Sequence, residues 1–252
     1  LYDESRLSAL ETRMAHYLSA SAVSAKNLAE EKDAIKTLIG DISHQTKTPI
    51  ANLLLYAQLL EEQDLPPESR EYVSALEHQA EKLRFLIDAL VKTSRLESGV
   101  LAMPPKRHGI QQLLDTASAQ AAPGAEAKAI TLTVEPTDLT ARFDPKWTAE
   151  ALYNLVDNAV KYPPAGGAVP LRAVGYELFC RVDVTDTGPG IPESEHAKIF
   201  GRFYRCPGAY QARGGGIGLY LARQIAQGQG GYVKVESAPG RGSVFSLWLP
   251  RQ

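Results

Sequence analysis

The sequence predicts an α+β chain in which an N-terminal helical hairpin precedes an α/β sandwich domain. Two observations carry this prediction. Up to about residue 99 the apolar residues recur with a helical period, whereas beyond about residue 108 alternating runs typical of strands are interleaved with helical segments. The change follows the stretch MPPKRHG, so we expect the domain boundary at residues 99–108.

Composition excludes several classes of protein. The chain has 252 residues, of which 44% are hydrophobic and 22% charged, and its formal net charge of −2 offers no basic field for nucleic acid. No apolar run approaches the roughly 20 residues of a membrane span. Cys180 and Cys206 form no CxxC motif, which predicts a reducing compartment and no Cys/His metal cluster. Without an initiator Met or a secretory segment, the sequence is expected to be part of a longer protein.

The first part of the chain is predicted to be one long helix with a heptad seam. Its two sets of seam positions are Leu7, Met14, Ser21, Leu28, Ile35 and Ile42, and Leu10, Tyr17, Ser24, Glu31, Leu38 and Gln45. Apolar positions that repeat every 3.5 residues favour a coiled coil or bundle, so residues 1–34 are interpreted as a coiled-coil linker helix. His44 lies two residues past the seam, and its side chain is expected to be exposed.

Prolines divide this helical region. Pro49 removes a helical N–H, at a cost of about 3 kcal/mol, and so predicts a weak point one turn beyond His44. Pro66 and Pro67 predict a turn, after which a second helix should run from about Glu68 to near Gly99. Its apolar stripe is Val73, Leu76, Ala80, Leu83, Ile87 and Leu90. A hairpin has little to bury such a stripe against, so two hairpins should form a four-helix bundle as a homodimer.

The second part of the chain predicts a mixed sheet with helices. Strands are expected at 130–135, 139–144, within 169–186, at 231–237 and at 242–250; helices are expected at about 110–121, 145–161, 193–199 and 217–228.

A polar helix face provides the first candidate site. The segment NLVDNAVKYPP lies on a helix that Asp144 should cap, with Pro145 as its first residue. Asn154 and Asn158 are four residues apart and share a face, and Lys161 follows within a turn. Such a face suits a magnesium ion and phosphate oxygens, although a polar face that binds nothing is an equally open interpretation.

Two glycine-rich segments provide further candidates. In DVTDTGPGIP, Gly188 and Gly190 allow close approach of the backbone to a ligand, and Asp186 can accept a hydrogen bond from a buried amino group. An ordinary turn is the alternative. The segment RGGGIGLYLARQIA leads with its glycines into a helix N-terminus, which is typical of a phosphate cradle. It matches neither a dinucleotide fingerprint nor a Walker loop.

Together these segments resemble the sensor histidine kinases of two-component systems. NLVDNAVKY, DTGPGIP, IFGRFYR, GGGIGLYLAR and GRGSVFSLWLP are similar to the N, first-glycine, F, second-glycine and final-glycine boxes of that family, and SHQTKTP is similar to its H-box. All six boxes occur in family order between about residues 35 and 250.

The resemblance implies a role for each matched position. His44 would be the phosphoacceptor, Asn158 a magnesium ligand with Asn154 beside it, Lys161 a phosphate contact, and Asp186 the acceptor of the adenine amino group. The remaining nucleotide contacts implied are Tyr162, Gly188, Gly190, Arg205 near the γ-phosphate, and Gly214, Gly216, Gly218 and Leu219 beside the ATP lid of residues 206–213.

The resemblance also implies the organisation and setting of the protein. Residues 1–34 would be a signalling linker, 35–99 the dimerisation and phosphotransfer domain, and 109–252 a catalytic domain of the Bergerat (GHKL) fold that uses ATP and Mg²⁺. The partners would be a second copy and the receiver domain of a response regulator, without direct binding to nucleic acid. We expect the cytoplasmic portion of a bacterial inner-membrane protein whose sensor precedes Leu1.

Four positions depart from the family or qualify its chemistry. Gln45 stands where the family commonly has Glu or Asp next to the histidine, and an amide cannot take a proton at neutral pH. Asp41, on the same helix face, is a possible substitute. Thr48 matches a position that assists dephosphorylation of the partner. Gly215 replaces a frequent Thr and should loosen the lid.

Two other classes of function stay open from the sequence. A degenerate kinase could act as a nucleotide-binding scaffold, for which Gln45 is the only support. An ATPase of the gyrase or chaperone kind is disfavoured by the hairpin that carries the H-box.

Overall fold

The computed structural model describes residues 2–97, 103–206 and 215–251, and within these ranges the side chains of all but residues 2–11, 32, 36, 44 and 97. The chain divides into two compact units, Leu1–Glu77 and His78–Gln252. The described part of the first unit is helical, and the second contains every strand described. The predicted domain boundary at 99–108 stays a prediction.

The first unit contains one very long helix and the beginning of another. Helix α1 runs over Tyr2–Glu61, and helix α2 begins after a short turn and runs over Pro67–Glu97 into the second unit. The α-helix continues through Pro49, whose side chain is exposed, so the expected weak point is not a break. A proline inside a helix removes one N–H donor, and the neighbouring hydrogen bonds suffice to keep the helical path.

The apolar seam of α1 is largely exposed in the single chain. Its described apolar members range from 40% exposed at Ile42 to 74% at Tyr17. Further along, Ile50, Leu54 and Ala57 of α1 are buried. The side chain of His44 is outside the described side chains, so its predicted exposure stays a prediction.

The second unit is organised around a five-stranded mixed sheet. Its strands are β2 (Thr131–Val134), β3 (Thr140–Phe143), which pairs outside the main sheet with β1 (Lys106–Gly109), and then β4 (Ala168–Gly175), β5 (Phe179–Asp186), β6 (Tyr232–Ser237) and β7 (Ser243–Pro250). The order in the main sheet is β2-β4-β5-β7-β6. Only β2 and β4 are parallel, and the other pairs are antiparallel.

Three helices cover one face of the sheet. They are α3 (Ile110–Glu126), α4 (Pro145–Lys161) and α5 (Gly218–Gly228), and α4 packs between the other two. Alternate residues of the central strands point towards them: Val182 lies opposite Leu247 in the register of β5 and β7, and both side chains are fully buried. The predicted α/β sandwich is confirmed.

Helix α4 begins as the sequence predicts. The Asp144 side chain accepts a hydrogen bond of 3.0 Å from the backbone N–H of Trp147, and Pro145 is the first helical residue. Leu155, Val156 and Ala159 are fully buried. Burial of a large aliphatic side chain stabilises the fold by about 1.5–3 kcal/mol, so this face anchors the polar face of α4 on the sheet.

The strand predictions are confirmed to within a few residues, with two differences elsewhere. Strand β1 was not expected, because four residues with three exposed side chains have no alternating apolar pattern. The helix expected at 193–199 is two short 3₁₀ turns, Glu193–Glu195 and Lys198–Phe200. A segment of seven residues is too short for its apolar spacing to distinguish 3₁₀ turns from an α-helix.

Candidate active site

A large cavity opens beside the C-terminal end of α4 in the second unit. Its volume is about 920 Å³. Its walls come from the end of α4, the end of β5 with the loop that follows, residues 204–206, and the start of α5 and of β7. A cavity of this size is ample for a nucleotide.

Most of the predicted nucleotide contacts line this cavity. They are Asn158, Lys161, Tyr162, Asp186, Gly188, Gly190, Arg205 and Leu219. Asn154, Gly216 and Gly218 are not among the lining residues, and Gly214 lies outside the described residues. Gly218 nevertheless lies against Asn154, since a Cβ at Gly218 would be 2.7 Å from the Asn154 Oδ1.

A buried carboxylate lies at one end of the cavity. Asp186 is only 6% exposed, and its Oδ1 accepts a hydrogen bond of 2.7 Å from the backbone N–H of Gly188. Burial raises the pKa of Asp186, and the hydrogen bonds from Gly188 and Ser243 oppose that rise. A buried acceptor of this kind has capacity for one more donor, such as an exocyclic amino group.

Two glycines lie where one backbone segment comes very close to another. Gly190 has a φ of +72°, and a Cβ there would lie 2.0 Å from the carbonyl oxygen of Ala238. Gly242 has a φ of +73°, and a Cβ there would lie 2.0 Å from the carbonyl oxygen of Asp186 itself. Only glycine fits either position, so Gly190 allows the first glycine box to pack against Ala238, and Gly242 allows the final glycine box to pack against the backbone of Asp186.

Cationic side chains line the other part of the cavity. Lys161 is ion-paired with Asp157, one turn earlier on α4. Burial raises the pKa of the Tyr162 hydroxyl, and the positive charge of Arg205 opposes that rise. The cavity thus combines a carboxylate at one end with ammonium and guanidinium groups elsewhere.

The predicted chemistry of the H-box lies on α1 of the first unit. Asp41, Gln45 and Thr48 are exposed side chains on this helix, and the backbone of His44 is helical. The role of Asp41 beside His44 stays a prediction.

Sequence reasoning missed several lining residues. Ile199 and Phe245 are buried and form apolar walls of the cavity. Lys128 lies between α3 and β2, far from any box, and its ammonium reaches the C-terminal end of α4. No local pattern marks such a residue, because its partners lie about thirty positions away.

This fold and site define an α/β domain with a cavity that could hold a nucleotide, preceded in the chain by a long helical region. Two family models match the chain: "His Kinase A (phospho-acceptor) domain" over residues 34–99, and "Histidine kinase-, DNA gyrase B-, and HSP90-like ATPase" over residues 143–252. Both regions carry the boxes described above. The chain belongs to the sensor histidine kinases of two-component systems.

Individual relatives agree with this assignment. The sensor protein DivL of Caulobacter vibrioides is 34% identical over 236 residues, which is 92% of this chain and 30% of DivL. The circadian input-output histidine kinase CikA of Synechococcus elongatus is 31% identical over 91% of this chain and 32% of its own length. The chain therefore spans about a third of these curated relatives.

Solved structures are similar over most of the chain. Full-length ShkA in complex with AMPPNP matches with a TM-score of 0.69 and 29% identity, over 84% of this chain and 45% of that one. ThkA, solved with the response regulator TrrA, matches with a TM-score of 0.61 and 20% identity, over 85% of this chain and 61% of that one. At this level of identity the similarity shows the fold alone. Among the described residues, no helix is long and apolar enough to cross a membrane.

Proposed function

We propose that this chain transfers the γ-phosphoryl group of ATP to His44 and then to an aspartate of a response regulator. The observation that carries the proposal is the cavity, which has a buried acceptor at Asp186 and cations at Lys161 and Arg205, in a chain of the histidine kinase family. ShkA, a relative by structure, was solved with the ATP analogue AMPPNP.

The nucleotide is oriented by its two ends. The Asp186 carboxylate accepts a hydrogen bond from the adenine amino group, and the apolar walls exclude water from the base. Lys161 and Arg205 neutralise phosphate charge, for which Lys161 must exchange its Asp157 partner for a phosphate oxygen. Positive groups held beside the phosphates accelerate phosphoryl transfer because they stabilise charge on the transferring group.

The residues present fit a magnesium ion. Mg²⁺ is bound by few protein oxygens and keeps phosphate oxygens and waters as its other ligands, and the Asn158 carboxamide in the cavity is such an oxygen donor. Among the described residues no cluster of three His, Cys, Asp or Glu side chains competes for a metal. When bound, the ion would neutralise negative charge on the phosphate groups.

The chemical step occurs at His44. A ring nitrogen of His44 attacks the γ-phosphorus, the bond from that phosphorus to the bridging oxygen breaks, and ADP leaves with the electron pair. The proton on the other ring nitrogen departs to an acceptor, for which Asp41 is the carboxylate on the same helix face. The receiver aspartate then attacks the phosphorus, the bond from phosphorus to the His44 nitrogen breaks, and the ring takes up a proton from water, which restores the neutral imidazole.

The protein would work as a homodimer. The exposed seam of α1 and the exposed side chains of Tyr72 and Leu76 on α2 leave apolar surface that a second copy would cover. As a portion of a longer bacterial sensor, the chain would lie on the cytoplasmic side of an inner membrane.

Incubation with γ-labelled ATP tests the proposal. We expect an acid-labile, base-stable label on the wild type, none on His44→Ala, and a normal label on the control His16→Ala, whose exposed histidine lies on the same helix. Nucleotide affinity should be unchanged in both variants. Bound ATP without any label on the wild type would instead support a scaffold.

Dephosphorylation is a second activity to assay. Thr48 is exposed on α1, four residues after His44, where its hydroxyl could orient a water molecule towards the phospho-aspartate of the partner. Thr48→Ala should therefore leave labelling of His44 intact and slow loss of phosphate from the regulator. Equal phosphatase rates would remove Thr48 from this role.

A further inference from the structure

One lysine beside the cavity binds only backbone. The Lys128 ammonium donates hydrogen bonds to the carbonyl oxygens of Val160 at 3.0 Å, Lys161 at 2.6 Å and Pro163 at 2.9 Å. Lys128 itself precedes β2, and its own carbonyl oxygen accepts a hydrogen bond of 3.2 Å from the N–H of Gly166. The chain between α4 and β4 is thus held at both of its ends by one residue.

These contacts occur where a helix needs them. The last carbonyl groups of a helix have no intrahelical donor, and a cation near that end also interacts favourably with the helix dipole. A lysine ammonium has three donors and no acceptor, and here each donor has a carbonyl partner. No donor is left for a phosphate oxygen, which distinguishes Lys128 from Lys161 and Arg205.

The segment that Lys128 holds is a wall of the cavity. Tyr162, Pro163 and Pro164 all line it. On the other side this wall packs against the first glycine box: a Cβ at Gly188 would lie 3.5 Å from the Pro163 nitrogen and 3.6 Å from the Tyr162 carbonyl carbon. Gly188 in turn donates to Asp186, so the wall lies next to the buried carboxylate.

We propose that Lys128 is a positioning residue for the nucleoside part of ATP. It acts through the Tyr162–Pro164 wall, which it fixes between the end of α4 and Gly188, and it does not touch phosphate. The proposal rests on the proposed binding of ATP in this cavity. It requires that loss of the ammonium affects binding of the nucleoside and leaves phosphoryl transfer at saturation unaltered.

The substitution Lys128→Met removes the ammonium and keeps the length of the side chain. We expect this variant to bind adenosine, ADP and a non-hydrolysable ATP analogue more weakly than the wild type, by the same factor of about tenfold for each. Loss of a charge-assisted hydrogen bond has an effect of this size. KM for ATP in autophosphorylation should rise by about the same factor, with kcat within about twofold. Isothermal titration of the full chain at two salt concentrations and initial rates of labelling measure these effects.

Two further variants keep the test interpretable. Lys106→Met removes the same charge from an exposed position on β1 outside the cavity and should bind all three ligands like the wild type. Lys128→Arg keeps a cation whose planar fork cannot reach three converging carbonyls, so it should show a smaller but equally uniform loss. If Lys128→Met does not fold, the binding affinities of Lys128→Arg alone test the positioning role.

The outcomes separate the inference from the function beneath it. If Lys128→Met loses affinity only for ADP and the ATP analogue, and if this loss of affinity is smaller at high salt, then Lys128 contacts phosphate. That result would overturn the positioning role. Unchanged affinities in a wild type that binds nucleotide would overturn it as well. A wild type that binds no ATP would refute the proposed function itself.

Discussion

Gly190 offers a sharp test of how the first glycine box is packed. Its φ of +72° lies in the left-handed region, and a Cβ added there would be 2.0 Å from the Ala238 carbonyl oxygen. Because a carbon atom and a carbonyl oxygen that are not bonded stay about 3.3 Å or more apart, Gly190→Ala must displace one backbone or the other by about 1 Å. Gly240 is the matched control, since its φ is +75° but a Cβ there meets nothing within 4 Å.

The difference between the two variants isolates the packing clash. Left-handed geometry costs an L-residue about 1–2 kcal/mol, and the reduced freedom of alanine in the unfolded chain offsets about 0.4–1 kcal/mol of this. Gly240→Ala should therefore lower the free energy of unfolding by about 1 kcal/mol. Gly190→Ala adds overpacking of about 1–3 kcal/mol and should lower it by about 2–4 kcal/mol in total.

Tryptophan fluorescence can follow this unit alone. The chain has 2 tryptophans, Trp147 and Trp248, and both lie in the unit His78–Gln252. Thermal unfolding should give a Tm lower than wild type by about 10 °C for Gly190→Ala and by about 3 °C for Gly240→Ala. Only the first variant should also lose nucleotide affinity, because Gly190 lines the cavity. Equal shifts in Tm would refute the packing described for this loop.

Three further predictions concern charge and contact. If a carboxylate beside the imidazole is needed, Gln45→Glu should raise the labelling rate by about 10²-fold or more, whereas if Asp41 already supplies it, Asp41→Asn should be the damaging change. Asp186→Asn should weaken nucleotide binding yet raise the Tm of the nucleotide-free protein at pH 7, because burial raises the pKa of Asp186 and its charged form opposes folding. That gain should shrink as pH falls through the raised pKa, where the wild type becomes protonated, and a gain independent of pH would contradict this cause. Gly215→Thr should lower the labelling rate, since a Cβ at Gly215 would lie 2.8 Å from the Phe85 ring. Adding Phe85→Ala to this variant should restore the labelling rate. If the double variant stays slow, the contact with Phe85 is not the cause of the lower rate.

Local sequence patterns determined the secondary structure around the site. Asp144 and Pro145 marked the start of α4, and the alternating run before Asp186 marked β5, because caps and alternation depend only on neighbours in the chain. The prediction that Gly188 and Gly190 let the backbone approach a ligand stays a prediction, and Gly190 has the positive φ that favours glycine. Strand β1 escaped prediction because its pairing with β3, rather than its own composition, makes it a strand.

The family boxes determined which residues surround the cavity, and tertiary structure decided how they are held there. Gln229 at the end of α5 accepts hydrogen bonds from the backbone N–H of Asp144 at 2.5 Å and from the Thr148 hydroxyl at 3.2 Å, and so ties α5 to the start of α4. Lys128 likewise ties the segment before β2 to the end of α4, through carbonyl groups that lie 32 to 35 positions further along the chain. A lysine or glutamine has no local signature for such contacts, since only the packing of α3, α4 and α5 on the sheet brings the partner carbonyl and N–H groups within reach. Residue types and their spacing therefore predicted which side chains serve the site. The positions of those side chains depend on hydrogen bonds between segments that are distant in the sequence.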